Sequence, residues 1–194
     1  MTNGTLRRTV LIVALLNLGY FGIEFVAALR IGSVALFADS IDFLEDTAIN
    51  LLIFVALGWT AMRRARVGMV LAALMLVPGI AFLWTLVQKY LAPVPPDATV
   101  LTVIGLGALA VNLTAAVLLA RHRRAEGSLT RAAFLSARND ALANVAIIGA
   151  GLLTAVHPSI WPDVIVGLAI AAMNLDAAHE VWEAARKEGR DAEA

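Results

Sequence analysis

Residues 32–59 read GSVALFADSIDFLEDTAINLLIFVALGW, and two features of this stretch pull against each other. It is long and apolar enough for a membrane span, which needs about 20 mostly apolar residues. Yet Asp39, Asp42, Glu45 and Asp46 all fall inside it. On the insertion scale each ionisable group at mid-bilayer costs about 2.5–3.5 kcal/mol, so such a series is expected only where it does work. The spacing says what kind of work. Asp42 and Asp46 stand at i and i+4, so both point from one face of a helix, and Asn50 extends that stripe by a further turn.

Working outward, the remainder of the chain supplies the same kind of element. Of its 194 residues, 60% are apolar, and mean hydropathy is +0.82. That is far above a soluble domain of this size. Spans are expected at 9–29, 33–58, 67–89, 98–120, 131–155 and 160–182. The breaks between them are Arg30 to Ser33, Arg63-Arg64-Ala65-Arg66, Pro93-Val94-Pro95-Pro96-Asp97, Arg121 to Gly127, and His157-Pro158. Trp161 and Trp182, 21 residues apart and so about 31 Å along a helix, would mark the two interfaces of the sixth span. The apolar run after Arg7-Arg8 continues past Asn17 and Glu24 without a persuasive cleavage site, and is expected to be a retained first helix.

Basic residues set the orientation. Arg7, Arg8, Arg63, Arg64, Arg66, Arg121, Arg123, Arg124, Arg131, Arg186, Lys187 and Arg190 share one side of this arrangement. Arg30 and Lys89 fall on the other, and Arg138 lies within a span. The bias predicts both termini in the cytoplasm. The expected fold is therefore an all-α membrane protein: a single domain over 1–194, built as a six-helix bundle with a short cytoplasmic tail at 183–194.

The fifth expected span, RAAFLSARNDALANVAIIGAGLL (131–153), repeats the polar stripe as Ser136, Asp140 and Asn144, at i, i+4 and i+8. Antiparallel to the second helix, it would place Asp140 opposite Asp42 and Asp46 near the midplane, where secondary transporters hold their substrate. Three carboxylates close together in a low dielectric cannot all stay ionised, so they hold protons or a cation. That geometry predicts exchange of a divalent metal for protons. Asp39, Asn50, Asn144 and Glu24 are candidates for the pathway or for support of the ligands. Arg138 is offset by two residues from Asp140, roughly 160° around the helix, and is expected on another face. Asn17 and Asn112 read equally as interhelical hydrogen bonds or as pathway residues, and Gly149 and Gly151 as sites of close helix packing.

Other classes are constrained by what the chain contains. It has 15 basic and 15 acidic residues, and no feature points to nucleic acid. The absence of cysteine excludes disulfides and thiolate metal sites. His122 and His157 fall in loops and His179 at the end of the sixth span, away from its middle, leaving oxygen ligands for the buried site.

With these residues in place, the chain resembles the cation diffusion facilitator family. Asn17 and Glu24 in the first helix, GSVALFADSIDFLED in the second, and His157-Pro158-x-x-Trp161-Pro162-Asp163 before the sixth carry the likeness. The family's D-A-x-[H/D]-x-x-x-D and [H/D]-x-x-x-D motifs fall on Asp42, Asp46, Ser136 and Asp140, with Asp39 three residues upstream. The resemblance implies a homodimeric exporter in a prokaryotic cytoplasmic membrane, surrounded by lipid. It would move manganese, zinc, iron, cobalt or cadmium out as protons move in, and would use no cofactor. Two departures accompany it. The family's usual cytoplasmic C-terminal domain is expected to be lacking, since the sequence closes on WEAARKEGRDAEA. Ser136 also stands where histidine or aspartate is usual, and an oxygen-only site suits manganese or magnesium better than zinc.

Two other functions fit parts of the pattern. A non-transporting relative would keep the fold with a site degenerated at Ser136. Asp39-x-x-Asp42-x-x-x-Asp46 also satisfies part of the motif of magnesium-dependent intramembrane prenyltransferases, although their second acidic motif would be broken by Ser136.

Overall fold

The computed structural model describes residues 3–56, 82–120 and 128–173, with side chains from Gly4 and, in the third segment, from Ser136. The described residues form six helical segments: α1 (Asn3–Ile31), α2 (Val34–Ala56), α3 (82–91), α4 (Ala98–Ala120), α5 (Ser128–Val156) and α6 (Trp161–Met173). The second half of α6's expected span, with Trp182, and most of the third span lie outside the described residues, as do the arginine clusters at 63–66 and 121–124.

Three of the helices, over Gly4–Ile31, Ala98–Ala120 and Ser136–Val156, are long and apolar enough to cross a membrane. Their surfaces confirm the solvent they were built for. Leu15, Ile23, Leu29, Trp84, Val103, Leu152 and Trp161 are all exposed, while Asn17, Glu24, Asp39, Asn112 and Asn144 are almost wholly buried. A protein folded in water hides the first set and exposes the second. Here lipid takes the place of water, and the polar groups turn inward to find partners.

Within the bundle, α1 pairs with α2 and α4 with α5, while α1 also touches α4 and α2 touches α5. These contacts close a four-helix ring in the order α1, α2, α5, α4. Small residues let α4 and α5 approach. A side chain at Gly151 would run into the Thr102 backbone and hydroxyl, and one at Gly105 would press on Ile147 and Ile148. Gly149, by contrast, faces no neighbour within 4 Å among the described residues. On the α1–α4 side, Gly107 makes room for Tyr20, whose hydroxyl donates to the Ile104 carbonyl at 2.6 Å.

The turns follow from local chemistry. Gly32 joins α1 to α2 at φ +60°, a left-handed conformation that costs glycine little. Ser33 then caps α2, its Oγ accepting from the Leu36 amide at 3.1 Å. After α3, Pro93, Pro95 and Pro96 prevent the helix from continuing, and Asp97 caps α4 by accepting from the Val100 amide at 2.9 Å.

The core is layered. One apolar cluster gathers Ala27, Ala28, Val34 to Ala38, Phe82, Leu101, Ile147, Ala150, Val164 and Ile170. A second gathers Leu6, Val10, Val13, Ile53, Ala115, Ala116, Leu119 and Ala137. Along each of α1, α2, α4 and α5 the polar residues fall between these clusters: Asn17, Glu24, Asp39, Asp42, Glu45, Asp46, Asn112 and Asn144 are buried, and Asp140 is half-buried. The bundle therefore holds a polar layer between two apolar plugs.

Candidate functional site

The polar layer contains two groups, both built across the α2–α5 contact. In the first, the Ser136 hydroxyl on α5 lies 3.0 Å from Asp46 Oδ1 and 3.4 Å from Asp140 Oδ2. It is close enough to donate its one proton to either carboxylate. Asn17 on α1 donates from Nδ2 to Asp46 Oδ2 at 3.3 Å, so Asp46 is gripped from two helices. Asp42, one turn before Asp46, is buried and interacts electrostatically with Asp140. The i, i+4 stripes of α2 and α5 thus face each other, and Ser136 is the link between them.

In the second group, Asn112 on α4 donates to Asn144 Oδ1 on α5 at 3.0 Å, and Asn144 Nδ2 donates to Asp39 Oδ2 on α2 at 2.6 Å. Glu24 on α1 lies against Asp39. Both Glu24 oxygens and Asp39 Oδ1 are buried without a hydrogen-bond donor among the described residues. Asn144 therefore serves Asp39 rather than Asp140, its neighbour one turn away on the same stripe. Asn50 does not join either group through its amide nitrogen, which donates back to the Asp46 carbonyl of its own helix at 2.8 Å. Glu45 is buried at the edge of the layer.

Arg138 stays out of the layer, exposed, with Nη2 donating to Asn139 Oδ1 at 3.2 Å. No guanidinium from this residue competes for the carboxylates. Among the described residues no group of three or more His, Asp or Glu side chains is drawn together closely enough to hold a metal ion. Asp42, Asp46 and Asp140 sit as neighbours around Ser136 rather than as ligands already converged on one point.

Two features of the site were only partly visible in the order of residues. Asn17 and Asn112 are both interhelical hydrogen-bond donors, and both end on residues of the polar layer. The signal that singled them out is the cost of an amide in an apolar span. A further residue, Asp163 on α6, stood in the sequence only as part of the motif before the sixth helix, with no sign of its partners; it is completely buried at the opposite end of α2 from Asn50, bonded to the first turn of that helix.

A helical membrane bundle that encloses carboxylates and amides between apolar plugs is built to handle small ions within the bilayer. Residues 10–187 match the cation efflux transmembrane domain, nearly the whole chain, and the protein belongs to that family. No curated protein matches it. The chain is thus a cation transporter of the cation efflux kind, an integral membrane protein and not an enzyme. Membership removes the prenyltransferase reading, which rested on Asp39, Asp42 and Asp46 alone.

Proposed function

We propose that the protein exports a divalent metal ion from the cytoplasm in exchange for protons, through a site formed by Asp42, Asp46 and Asp140 with Ser136. The observation that carries this reading is the Ser136 hydroxyl set between the Asp46 and Asp140 carboxylates, at 3.0 and 3.4 Å. It puts side chains of α2 and α5 within reach of one small ion. A divalent cation drawing the three carboxylates inward would replace the hydroxyl proton between Asp46 and Asp140 as the group they share. When the ion leaves, the buried carboxylates take up protons again, which couples the two fluxes. Asp39, Asn144 and Glu24 form a second polar station beside the first, and Asn17 orients Asp46. Oxygen-only coordination favours manganese over zinc, with iron, cobalt and cadmium as the other candidates. The working unit in this proposal is a homodimer in a prokaryotic cytoplasmic membrane, with both termini on the cytoplasmic side.

One observation favours a second reading. The hydroxyl between Asp46 and Asp140 already gives one of them a hydrogen-bond donor without any metal, so a non-transporting relative would also hold this arrangement. Purified protein in liposomes under an imposed pH gradient separates the two, with manganese, zinc, cadmium, cobalt, iron and magnesium offered in turn. Gradient-driven uptake of any one supports metal–proton exchange. Folded protein that moves none of them leaves the non-transporting reading standing.

A further inference from the structure

The outer end of α2 is held by a carboxylate from α6. Asp163 Oδ2 accepts from the Val34 amide at 2.9 Å, and Oδ1 accepts from the Ala35 amide at 3.1 Å and from the Ser33 hydroxyl at 2.6 Å. The first amides of a helix have no partner of their own along the chain, and the N-terminal end of the helix dipole favours negative charge. One side chain from 128 to 130 residues away in sequence thus takes the Val34 and Ala35 amides, while Ser33 Oγ takes the Leu36 amide. Gly167, one turn further along α6, lies on the same face. A Cβ there would sit 2.7 Å from the Val34 carbonyl carbon and 2.8 Å from the Ala35 nitrogen, so α6 rests directly on the α2 backbone. Lys89 of α3 completes the group. Its Nζ is 3.9 Å from Asp163 Oδ2 and donates to the Val94 carbonyl at 2.9 Å. Asp163 and Ser33 are fully buried and Lys89 is 5% exposed.

We infer that Asp163 is a positioning residue for transport: by capping α2 it fixes the register in which that helix presents Asp42 and Asp46 to α5. The inference rests on the proposed reading of α2 as the helix that carries the metal site. A helix rises about 1.5 Å per residue, so the cap lies about 12 Å from Asp42 and about 18 Å from Asp46, joined to them by unbroken helix. A shift at the cap is therefore delivered to the carboxylates as a shift along or around the helix axis. Lys89 neutralises the buried carboxylate, but the amides define where α2 ends. The asymmetry is chemical, since an ammonium has no lone pair to accept from an N–H.

The test compares Asp163→Asn, Lys89→Met and the exchanged pair Lys89→Asp with Asp163→Lys, each quantified per folded protein. The first readout is hydrogen exchange at the Val34 and Ala35 amides, which reports the cap whether or not metal moves. Asp163→Asn should speed exchange there by about tenfold or more. The second is the apparent KM for the metal that the wild type transports in liposomes, which should rise by about tenfold for Asp163→Asn and by less than about threefold for Lys89→Met. The exchanged pair should recover neither. Recovery by the exchanged pair would reduce the role to an ion pair and overturn the inference. So would amide exchange or a KM within about twofold of wild type in Asp163→Asn. Should Asp163→Asn fail to fold, Ser33→Ala removes the hydroxyl that donates to Asp163 and accepts from the Leu36 amide. Exchange is then read at Val34 and Ala35, which Asp163 alone caps, and about a threefold change is expected there and in KM. No change in Ser33→Ala also overturns the inference. If the wild type moves no metal, the proposed function falls, and the exchange readout alone decides whether Asp163 is the cap.

Discussion

At the scale of single residues, the α2 and α5 carboxylates are not interchangeable, and substitution should sort them. Asp46 accepts from Asn17 and shares with Asp140 the one Ser136 proton, and Asp42 has Asp140 as its electrostatic neighbour. Changing Asp42, Asp46 or Asp140 to Asn keeps the volume but removes a proposed metal ligand and a proton acceptor together. Each change should lower gradient-driven transport in liposomes by about tenfold or more, with the protein still eluting as folded. Glu45→Gln should stay within about threefold of wild type, because on an ideal helix it points about 60° from Asp42 and 100° from Asp46. Full activity in all three aspartate variants would remove the proposed site. Ser136 allows a sharper test. Ser136→His places an imidazole one turn from Asp140 and opposite Asp46, and imidazole suits zinc and cadmium better than manganese. Metal competition at a pH of about 7.5, where the ring is mostly neutral, should shift preference towards zinc or cadmium. Unchanged relative affinities in a folded, transporting variant would show that position 136 does not face the metal.

At the scale of elements, the α4–α5 pair is the tightest contact and the one most open to a packing test. Gly151 abuts Thr102 on α4, whereas Gly149, on the same helix two residues earlier, meets nothing within 4 Å among the described residues. Gly151→Leu should force α4 and α5 apart and destabilise the folded protein by about 1–3 kcal/mol. Gly149→Ala should stay within about 0.5 kcal/mol of wild type. Thermal unfolding in detergent measures both. Separation of the pair also moves Asn112 away from Asn144, so the second polar group should loosen with it. Equal effects at the two glycines would mean that α4 and α5 do not pack as described.

At the scale of the whole molecule, the sidedness of the bundle decides which way a metal leaves. The charge bias predicts the termini and residues 122–128 on the cytoplasmic side and the Pro93–Pro96 connection outside. Tags at both ends and a probe at 122–128 should react only from the cytoplasmic side, and a probe between Pro93 and Pro96 only from outside. The absence of cysteine lets single cysteines serve as those probes without prior removal of native ones. A terminus reached from outside would invert the bundle and the proposed direction of transport with it.

The sequence by itself determined that this chain belongs in a membrane and that its spans carry carboxylates. Apolar composition and the cost of buried charge act on any helix of this kind, whatever it packs against. Helical periodicity also made Asp42 with Asp46, and Ser136 with Asp140, legible as stripes, because 3.6 residues per turn fixes which side chains share a face. The partners of each residue within those stripes came only from the tertiary structure. Asn144 continues the Ser136–Asp140 stripe yet bonds Asp39, since the offset at which α5 crosses α2 selects the pairing. Asn50 continues the α2 stripe yet turns back to its own backbone. The cap on α2 is the clearest case. Ser33 and Asp163 are 130 residues apart, and only the packing of α6 at Gly167 brings that carboxylate onto the two amides that local sequence leaves without partners.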